Sequence, residues 1–297
     1  MDMALFVDVS RQKAKARIAI TGVTGSGKTL GALYLAYGLA GDWAKVALID
    51  TEHERGRFYA DRSDFGTGTF KYASLGPPYT AERYKQFAAE GAKLVGPSGC
   101  VVVDSFSHAW GSEGGVIEFK NKIVESNPKK NDFSAWDDAG KVQNNLINAI
   151  LSVDCHTIVT MRSKMEYVVE EDERGKKVPR RVGLAPVQRN DTEYEFDIVF
   201  EADRYTHKCR TVKDTTFLDE WNDVLTPGLG EALRAWLDGG KEPERLLCGE
   251  CGKKISATAT KTAAEVAAGT TEKTGGPLCM GCYAKRVKAN GPQALPA

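Results

Sequence analysis

The chain of 297 residues lacks the features that mark membrane proteins and strongly charged proteins. It has no run near the ~20 consecutive apolar residues that a membrane-spanning helix needs. Lysine and arginine number 40 and are balanced by 40 aspartates and glutamates, so the zero net charge creates no general attraction to nucleic acids or membranes. The N-terminal segment MDMALFVDVSRQKAKAR lacks the apolar core of a signal peptide. We therefore expect a cytoplasmic protein without a membrane partner.

The composition and the apolar patterning indicate a folded α/β protein. Apolar residues make up 42% of the chain and charged residues 27%, which is ordinary for a globular protein with a buried core. Short apolar runs alternate with helical patterns, as in a mainly parallel sheet with helices on both faces. The predicted strands are Arg17 to Thr21, Val46 to Asp50, Cys100 to Asp104 and Thr157 to Met161, and the predicted helices are Lys28 to Ala40, Ala81 to Val95 and Ser134 to Ser152.

The pattern changes after Met161, where strand-like segments with charged turns predict a mixed or antiparallel edge of the sheet. These segments are Met165 to Glu171, Lys177 to Val182, Tyr194 to Ala202 and Lys208 to Lys213. A last helix is predicted from Leu229 to Leu237, and the polar segment DGGKEP follows it. We predict an N-terminal extension over residues 1–15, a main domain over 16–238, a linker over 239–246 and a small cysteine-containing module with a tail over 247–297.

The segment GVTGSGKT has the spacing G-x-x-x-x-G-K-[ST] of a phosphate-binding loop, and it lies between a predicted strand and a predicted helix. Its glycines let consecutive backbone N–H groups point at phosphate oxygens, beside the positive end of the helix. Lys28 is expected to contact the β- and γ-phosphates, and the Thr29 hydroxyl to bind Mg²⁺. The motif predicts ATP and Mg²⁺ binding by Gly22, Val23, Thr24, Gly25, Ser26, Gly27, Lys28 and Thr29.

Carboxylates stand at the ends of two further predicted strands. Asp104 ends the run CVVVD and is the candidate for holding Mg²⁺ from a neighbouring strand end. Glu52 follows the second strand in IDTEH, where it would polarise a water against the γ-phosphate as a general base. The alternatives are an ordinary turn residue for Asp104 and a solvated ion pair with Arg55 or Arg57 for Glu52. A small-molecule kinase would share the phosphate motif, but the chain shows no recognisable acceptor-site or lid signature.

These motifs, in this order, resemble RecA over about Ala16 to Lys164. More narrowly, the segment from Ala16 to Trp221 resembles the phage-borne RecA-like P-loop ATPases. These are AAA family ATPases, and they include single-strand annealing proteins and recombinases. The resemblance implies a RecA-like P-loop NTPase fold and ATP hydrolysis with Lys28 and Glu52 as catalytic residues. It also implies the cytoplasm of a bacterial host as the location.

The chain departs from RecA at the strand end that senses the γ-phosphate. RecA has a glutamine there that relays nucleotide state to a DNA-binding loop, whereas the corresponding stretch here is TMRSK. We predict instead that Arg162 and Lys164 neutralise transition-state charge, in their own subunit or in a neighbour across a ring or filament interface. The alternative is that both are exposed charges at the start of a hairpin.

The resemblance further implies two loops that contact single-stranded DNA. The first is Ser126 to Phe133, and the second runs from about Tyr167 to Asp191. Cations beside aromatic residues suit a single strand, although a solvated hairpin with paired acidic and basic strands is an equal alternative. The candidate DNA-binding residues are Lys129, Lys130, Lys176, Lys177, Arg180, Arg181 and Arg189.

The cysteines predict a zinc site near the end of the chain. Cys248, Cys251, Cys279 and Cys282 form two CxxC pairs, the ligand set of a closed tetrahedral Zn²⁺ site. We expect a zinc-ribbon-like or treble-clef module, with the Ala-, Thr- and Gly-rich segment from Ser256 to Gly276 as a mobile insertion. The alternative is an unmetallated tail.

The motifs together predict ATP-controlled binding of single-stranded DNA in phage recombination or annealing. The expected partners are single-stranded DNA, further copies of this chain in a ring or filament, and a single-strand-binding or replication protein. The alternative is a RecA-fold ATPase of the helicase-loader type, which would act on a protein partner without stimulation by DNA.

Overall fold

The structure, a computed structural model, describes residues 9–127, 130–171, 177–241, 246–253, 255, 256, 258, 261 and 263–290. The chain divides into two compact units, Met1–Gly240 and Lys241–Ala297. Within the described residues, no helix combines the length and the apolar character that crossing a membrane requires.

The larger unit alternates strands and helices along the chain, as expected for an α/β fold. Its strands are β1 Arg17–Gly22, β2 Val46–Asp50, β3 Lys71–Ser74, β4 Cys100–Asp104, β5 His156–Glu171, β6 Lys177–Pro186, β7 Ile198–Ala202, β8 Cys209–Lys213 and β9 Asn222–Asp223. Its helices are α1 Lys28–Ala40, α2 Ala81–Val95, α3 His108–Gly111, α4 Val116–Ser126, α5 Asp132–Leu151 and α6 Pro227–Asp238.

The strands form one mainly parallel sheet in the order β3-β2-β4-β5-β1-β7-β8-β9, and β6 pairs with β5 as an antiparallel hairpin. All neighbours from β3 to β7 are parallel, and β8 and β9 add an antiparallel edge. We expected Asp104 on a strand neighbouring β1, and this detail is wrong because β5 lies between β1 and β4. The architecture fits a P-loop NTPase.

Two apolar cores lie on the two faces of the sheet. Successive strand residues point to opposite faces, so Ile18 and Ile20 belong to the core with α1 and α6, and Ala19 belongs to the core with α2 and α5. Every residue of β2 and β4 is buried. This burial on both faces explains why the central strands are nearly unbroken apolar runs.

Several elements differ from the sequence-based prediction. Thr157 to Met161 and Met165 to Glu171 were predicted as separate strands, but they form the single strand β5. The prediction missed β3 and α4. The short β3 lies at an edge of the sheet with half-exposed residues, so it has no apolar run to mark it.

Helices α1 and α6 cross closely at two glycines. A Cβ atom added to Gly38 would lie 2.1 Å from the carbonyl oxygen of Pro227 and 2.7 Å from the Cα of Gly230. Because these neighbours are backbone atoms, they cannot turn aside as a flexible side chain could. The position of α1, which begins with Lys28 and Thr29, therefore depends on the absence of a side chain at Gly38.

In the part of the smaller unit that the structure describes, the chain forms the helices α7 Ala263–Thr274 and α8 Met280–Asn290. We expected the segment between the CxxC pairs to be a mobile insertion, and for α7 this is wrong. Val266 and Ala267 are buried against Cys248, Ile255 and Leu278. Alanine favours a helix, and the apolar side of α7 covers the small core.

Candidate functional site

The predicted phosphate loop connects β1 to α1. Gly25 and Gly27 have φ angles of 82° and 86°, in the left-handed region where glycine carries no steric penalty. The Lys28 ammonium donates a hydrogen bond to the carbonyl of Val23, 2.8 Å away. Burial lowers the pKa of Lys28, and the negative charges of Asp104 and Glu52 partly offset that effect. A half-buried cation beside a curled backbone fits an anionic phosphate chain.

Asp104 is buried at the carboxyl end of β4 and accepts hydrogen bonds from two hydroxyl groups. Thr29 Oγ1 donates to Asp104 Oδ2 at 2.5 Å, and the Thr160 hydroxyl on β5 donates to Oδ1. Desolvation raises the pKa of Asp104, and the hydrogen bonds from Thr160 and Thr29 oppose that rise. A buried carboxylate beside a hydroxyl oxygen is a donor set that suits Mg²⁺. The two predicted magnesium ligands therefore lie together and fit the ion.

Glu52 is held in the turn after β2 by the side chain of Asp50. Asp50 Oδ1 accepts from the backbone N–H of Glu52 at 2.6 Å, and Asp50 Oδ2 accepts from the N–H of Gly56 at 2.8 Å. The Glu52 carboxylate faces Arg162, whose Nε donates to Oε1 at 2.7 Å and whose Nη2 donates to Oε2. Desolvation raises the pKa of Glu52, but the hydrogen bond and charge of Arg162 outweigh it and leave the pKa below its ordinary value.

A buried network that the sequence analysis did not predict joins the ends of β2 and β4. The hydroxyl of Thr51 accepts from the backbone N–H of Ser105 at 2.8 Å and lies 2.7 Å from Nδ1 of His108. The His108 ring packs on Tyr79 with 4.9 Å between ring centroids. Desolvation and the charge of Arg162 lower the pKa of His108, and this favours the neutral imidazole. The network fixes the segment that carries Glu52.

Eight of the predicted site residues meet in one open cleft of about 630 Å³. It is lined by Thr24, Gly25, Gly27, Lys28, Thr29, Glu52, Asp104 and Arg162, and also by Arg55, Phe58, Tyr59, Arg62 and Phe65. Three aromatic side chains in the second group come from the segment between β2 and β3, which the sequence analysis overlooked. The rings of Tyr59 and Phe65 lie 5.9 Å apart, and Phe58 is 70% exposed. The sequence RFYADRSDF after the second strand could have indicated these aromatic residues, because it places three aromatic side chains close together in the chain.

The other predicted functional residues do not meet in this cleft. Lys164 is exposed on β5 and is absent from the described residues that line the cleft. Lys130 forms an ion pair with Asp138, and Arg189 Nη1 donates to Asn144 Oδ1 at 2.8 Å. Lys177, Arg180 and Arg181 belong to β6, with Lys177 opposite Glu171 in the hairpin register. Lys129 and Lys176 lie outside the described residues. The DNA-binding assignments stay predictions.

Comparison with known protein families identifies the domain that contains this cleft. A family model described as an AAA domain matches residues 14–225. The chain belongs to the AAA domain family. The matched part of the AAA domain includes β1, β2, β4 and β5, the strands beside which the cleft lies. Membership of this family implies that the protein uses a nucleotide. The phage origin and the RecA-like type of this chain stay predictions. No curated protein matches the chain.

The smaller unit brings the four CxxC sulfurs together. The Sγ atoms of Cys248, Cys251, Cys279 and Cys282 all lie within 4.8 Å of one another. The Sγ atoms of Cys251 and Cys279 are 3.8 Å apart, and a tetrahedral zinc site with bonds of about 2.3 Å places its sulfurs about 3.8 Å apart. Backbone N–H groups of Cys251 and Cys279 lower the pKa of Cys248 to about 6. The cluster is consistent with a structural zinc module, and α8 begins inside the second CxxC pair, as in the treble-clef alternative.

Proposed function

We propose that this AAA domain protein binds ATP with Mg²⁺ and hydrolyses it to ADP and phosphate. The observation that carries the proposal is the convergence of Lys28, Thr29, Asp104 and Glu52 on one cleft from three separate elements. Lys28 would exchange the Val23 carbonyl for phosphate oxygens. Thr29 and Asp104 would hold Mg²⁺, which neutralises phosphate charge when bound.

Glu52 is the proposed general base. It would accept a proton from water as the water oxygen bonds to the γ-phosphorus and the bond to the β,γ-bridging oxygen breaks. The aromatic residues Phe58, Tyr59 and Phe65 provide planar surfaces on which a nucleobase could stack. We assign the base-binding side of the cleft to these three residues.

The catalytic assignment is tested by nucleotide binding and phosphate release in three variants. Lys28→Ala should lose nucleotide binding or turnover. Glu52→Gln should still bind ATP but hydrolyse it about 10²–10⁴-fold more slowly, because positioned general bases contribute that much. Glu54→Gln is the matched control, since Glu54 is exposed and pairs with Arg57. Normal turnover by Glu52→Gln would remove Glu52 as the base.

We further propose that nucleotide state controls the binding of single-stranded DNA in phage recombination or annealing. The supporting feature is β5, a single strand that carries Thr160 and Arg162 beside the cleft and pairs with β6 from Ser163 onward, with a register shift between Glu166 and Tyr167. A shift at the cleft would therefore reach the hairpin that carries Lys177, Arg180 and Arg181. Assembly of several copies into a ring or filament, and contact with a single-strand-binding or replication protein, belong to this proposal.

A protein partner is the second candidate, and an exposed aromatic surface on α5 favours it. Phe133 is 87% exposed and Trp136 is 39% exposed, whereas the nearby cation Lys130 is paired with Asp138. A paired cation is less available to a phosphate backbone. An ATPase acting on a protein would use such an aromatic surface without needing DNA.

The two candidates differ in how DNA affects ATP hydrolysis. We would measure turnover with and without single-stranded DNA at low and moderate salt, because backbone contacts weaken as salt rises. The DNA proposal predicts stimulation that falls with salt and is lost when Lys177, Arg180 and Arg181 are changed to glutamate. Turnover that is indifferent to DNA in the unmodified protein would favour the protein partner.

A further inference from the structure

One side of helix α8 in the smaller unit is apolar and exposed. Met280 and Val287 are each 47% exposed, and Ala284 between them is exposed as well. Since a helix has about 3.6 residues per turn, these three side chains follow one another along the same side of α8, and we call them the α8 stripe. The core of the unit packs instead against Cys282 and Tyr283. The α8 stripe therefore lies outside the contact that holds the helix to its own core.

The folding of α8 does not explain the apolar residues of this stripe. A β-branched side chain loses rotamer freedom in a helix, so valine disfavours the helix unless its burial offsets that cost. With 47% of its surface exposed, Val287 gains little burial in return. Cations near the C-terminal end of a helix are different, because the helix dipole favours them without any partner. The apolar side chains are therefore the feature that indicates a partner.

Cations border the α8 stripe on both sides. Lys288 follows Ala284 by one helical turn, and Lys285 lies beside Lys288 in the same exposed region. On the other side, the ammonium of Lys273 at the end of α7 lies 5.9 Å from the centre of the Tyr283 ring. The sequence of α8, MGCYAKRVKAN, contains three cations and no acidic residue. A partner that covers the stripe would therefore meet positive charge at both of its margins.

The aliphatic character of the stripe favours a protein over a nucleic acid. Single strands bind where cations accompany aromatic rings on which the bases stack. The stripe offers only methionine, alanine and valine side chains, and the nearby Tyr283 is half-buried against the core. Arg286 pairs with Glu250 at 3.3 Å, which leaves fewer cations for a phosphate backbone. A peptide that carries carboxylates on either side of apolar side chains matches both the stripe and its margins.

We propose that the exposed side of α8 is a docking site for an acidic amphipathic segment of a partner protein. Apolar side chains of the partner cover the α8 stripe, and its carboxylates pair with Lys285 and Lys288. Ala284 has only a methyl group, so it leaves a low point between Met280 and Val287 that a leucine of the partner can fill. The inference concerns the smaller unit alone and does not depend on the nucleotide chemistry of the cleft.

The first test uses a fluorescein-labelled synthetic peptide in which leucines at i, i+4 and i+7 are separated by glutamates. Fluorescence anisotropy would measure its binding to the whole chain with zinc bound. The peptide should bind at least about tenfold more tightly than an analogue with glutamine at each glutamate and an analogue with serine at each leucine. Its affinity should also fall as salt rises, because the carboxylate contacts are exposed. Equal binding of either analogue would overturn the proposal.

The second test compares variants of the exposed side of α8. Val287→Gln should weaken peptide binding about tenfold, because it removes the apolar contact while glutamine preserves the helix. Lys288→Glu should weaken binding by a similar factor, because it places a like charge against the partner's carboxylates. Val212→Gln is the matched control, since Val212 is 46% exposed on β8 and should leave the affinity unchanged. Zinc content equal to that of the unmodified protein would show that each variant keeps the module folded.

The outcomes separate this proposal from its rivals. Failure of the acidic peptide to bind the unmodified protein, or equal binding by the unmodified protein and both α8 variants, would overturn it. A single-stranded oligonucleotide that binds more tightly than the peptide, and loses affinity in Lys288→Glu but not in Val287→Gln, would assign α8 to nucleic acid instead. ATP hydrolysis is measured separately, so either proposal can fail while the other stands.

Discussion

Replacing Gly38 by alanine should destabilise the larger unit, although alanine is the better helix former. A Cβ atom there would lie 2.1 Å from the Pro227 carbonyl oxygen and 2.7 Å from the Cα of Gly230, so α1 and α6 must move apart. Overpacking of this kind costs about 1–3 kcal/mol. The gain in helix propensity offsets only about 0.5–1 kcal/mol of it.

Gly140 provides the matched control, because it lies inside α5 and an added Cβ would meet nothing within 4 Å. Gly140→Ala should therefore stabilise the protein by about 0.5–1 kcal/mol. The assay is urea unfolding followed by circular dichroism, with an m-value of about 3 kcal/mol per molar. The unfolding midpoints of the two variants should then differ by up to about 1 M, with Gly38→Ala the lower. A Gly38→Ala variant as stable as Gly140→Ala would refute the proposed close contact.

Three further outcomes are expected. Thr160→Val removes the hydroxyl that donates to Asp104 and should cost about 1–3 kcal/mol in thermal unfolding, whereas Thr160→Ser should keep most of the stability. Because the pKa of Glu52 is depressed in the folded state, its pair with Arg162 stabilises the protein above the unfolded value of about 4.3. The unmodified protein should therefore be more stable than Arg162→Gln at neutral pH, and this difference should shrink as the pH falls through the folded-state pKa of Glu52. A difference in stability that stays constant with pH would contradict the pairing. One Cys₄ site binds about one zinc ion per chain. Cys282→Ser should lower the zinc content of the reduced protein, measured by elemental analysis, below that value. Cys209→Ser should leave the zinc content unchanged, because Cys209 lies in β8.

Much of the fold was predictable because its signals are local. The bounds of α1, α2, β2 and β4 agree with the sequence-based prediction, since each has a clear apolar period or an unbroken apolar run. The phosphate loop was recognisable for the same reason, because its glycines, lysine and threonine are consecutive. The edge strand β3 escaped prediction because it is half-exposed and lacks such a signal.

The sequence by itself determined which residues could bind phosphate and zinc, because the phosphate loop and each CxxC pair are defined by short spacings, and it indicated Asp104 as a magnesium ligand by its place at the end of an apolar run. Only the tertiary structure decided which of them meet. The insertion of β5 between β1 and β4 brings Thr160 to Asp104, and it places Arg162 against Glu52 although 110 residues separate them. Strand order is set by pairing between distant segments and by the burial of both sheet faces, and no local pattern contains that information.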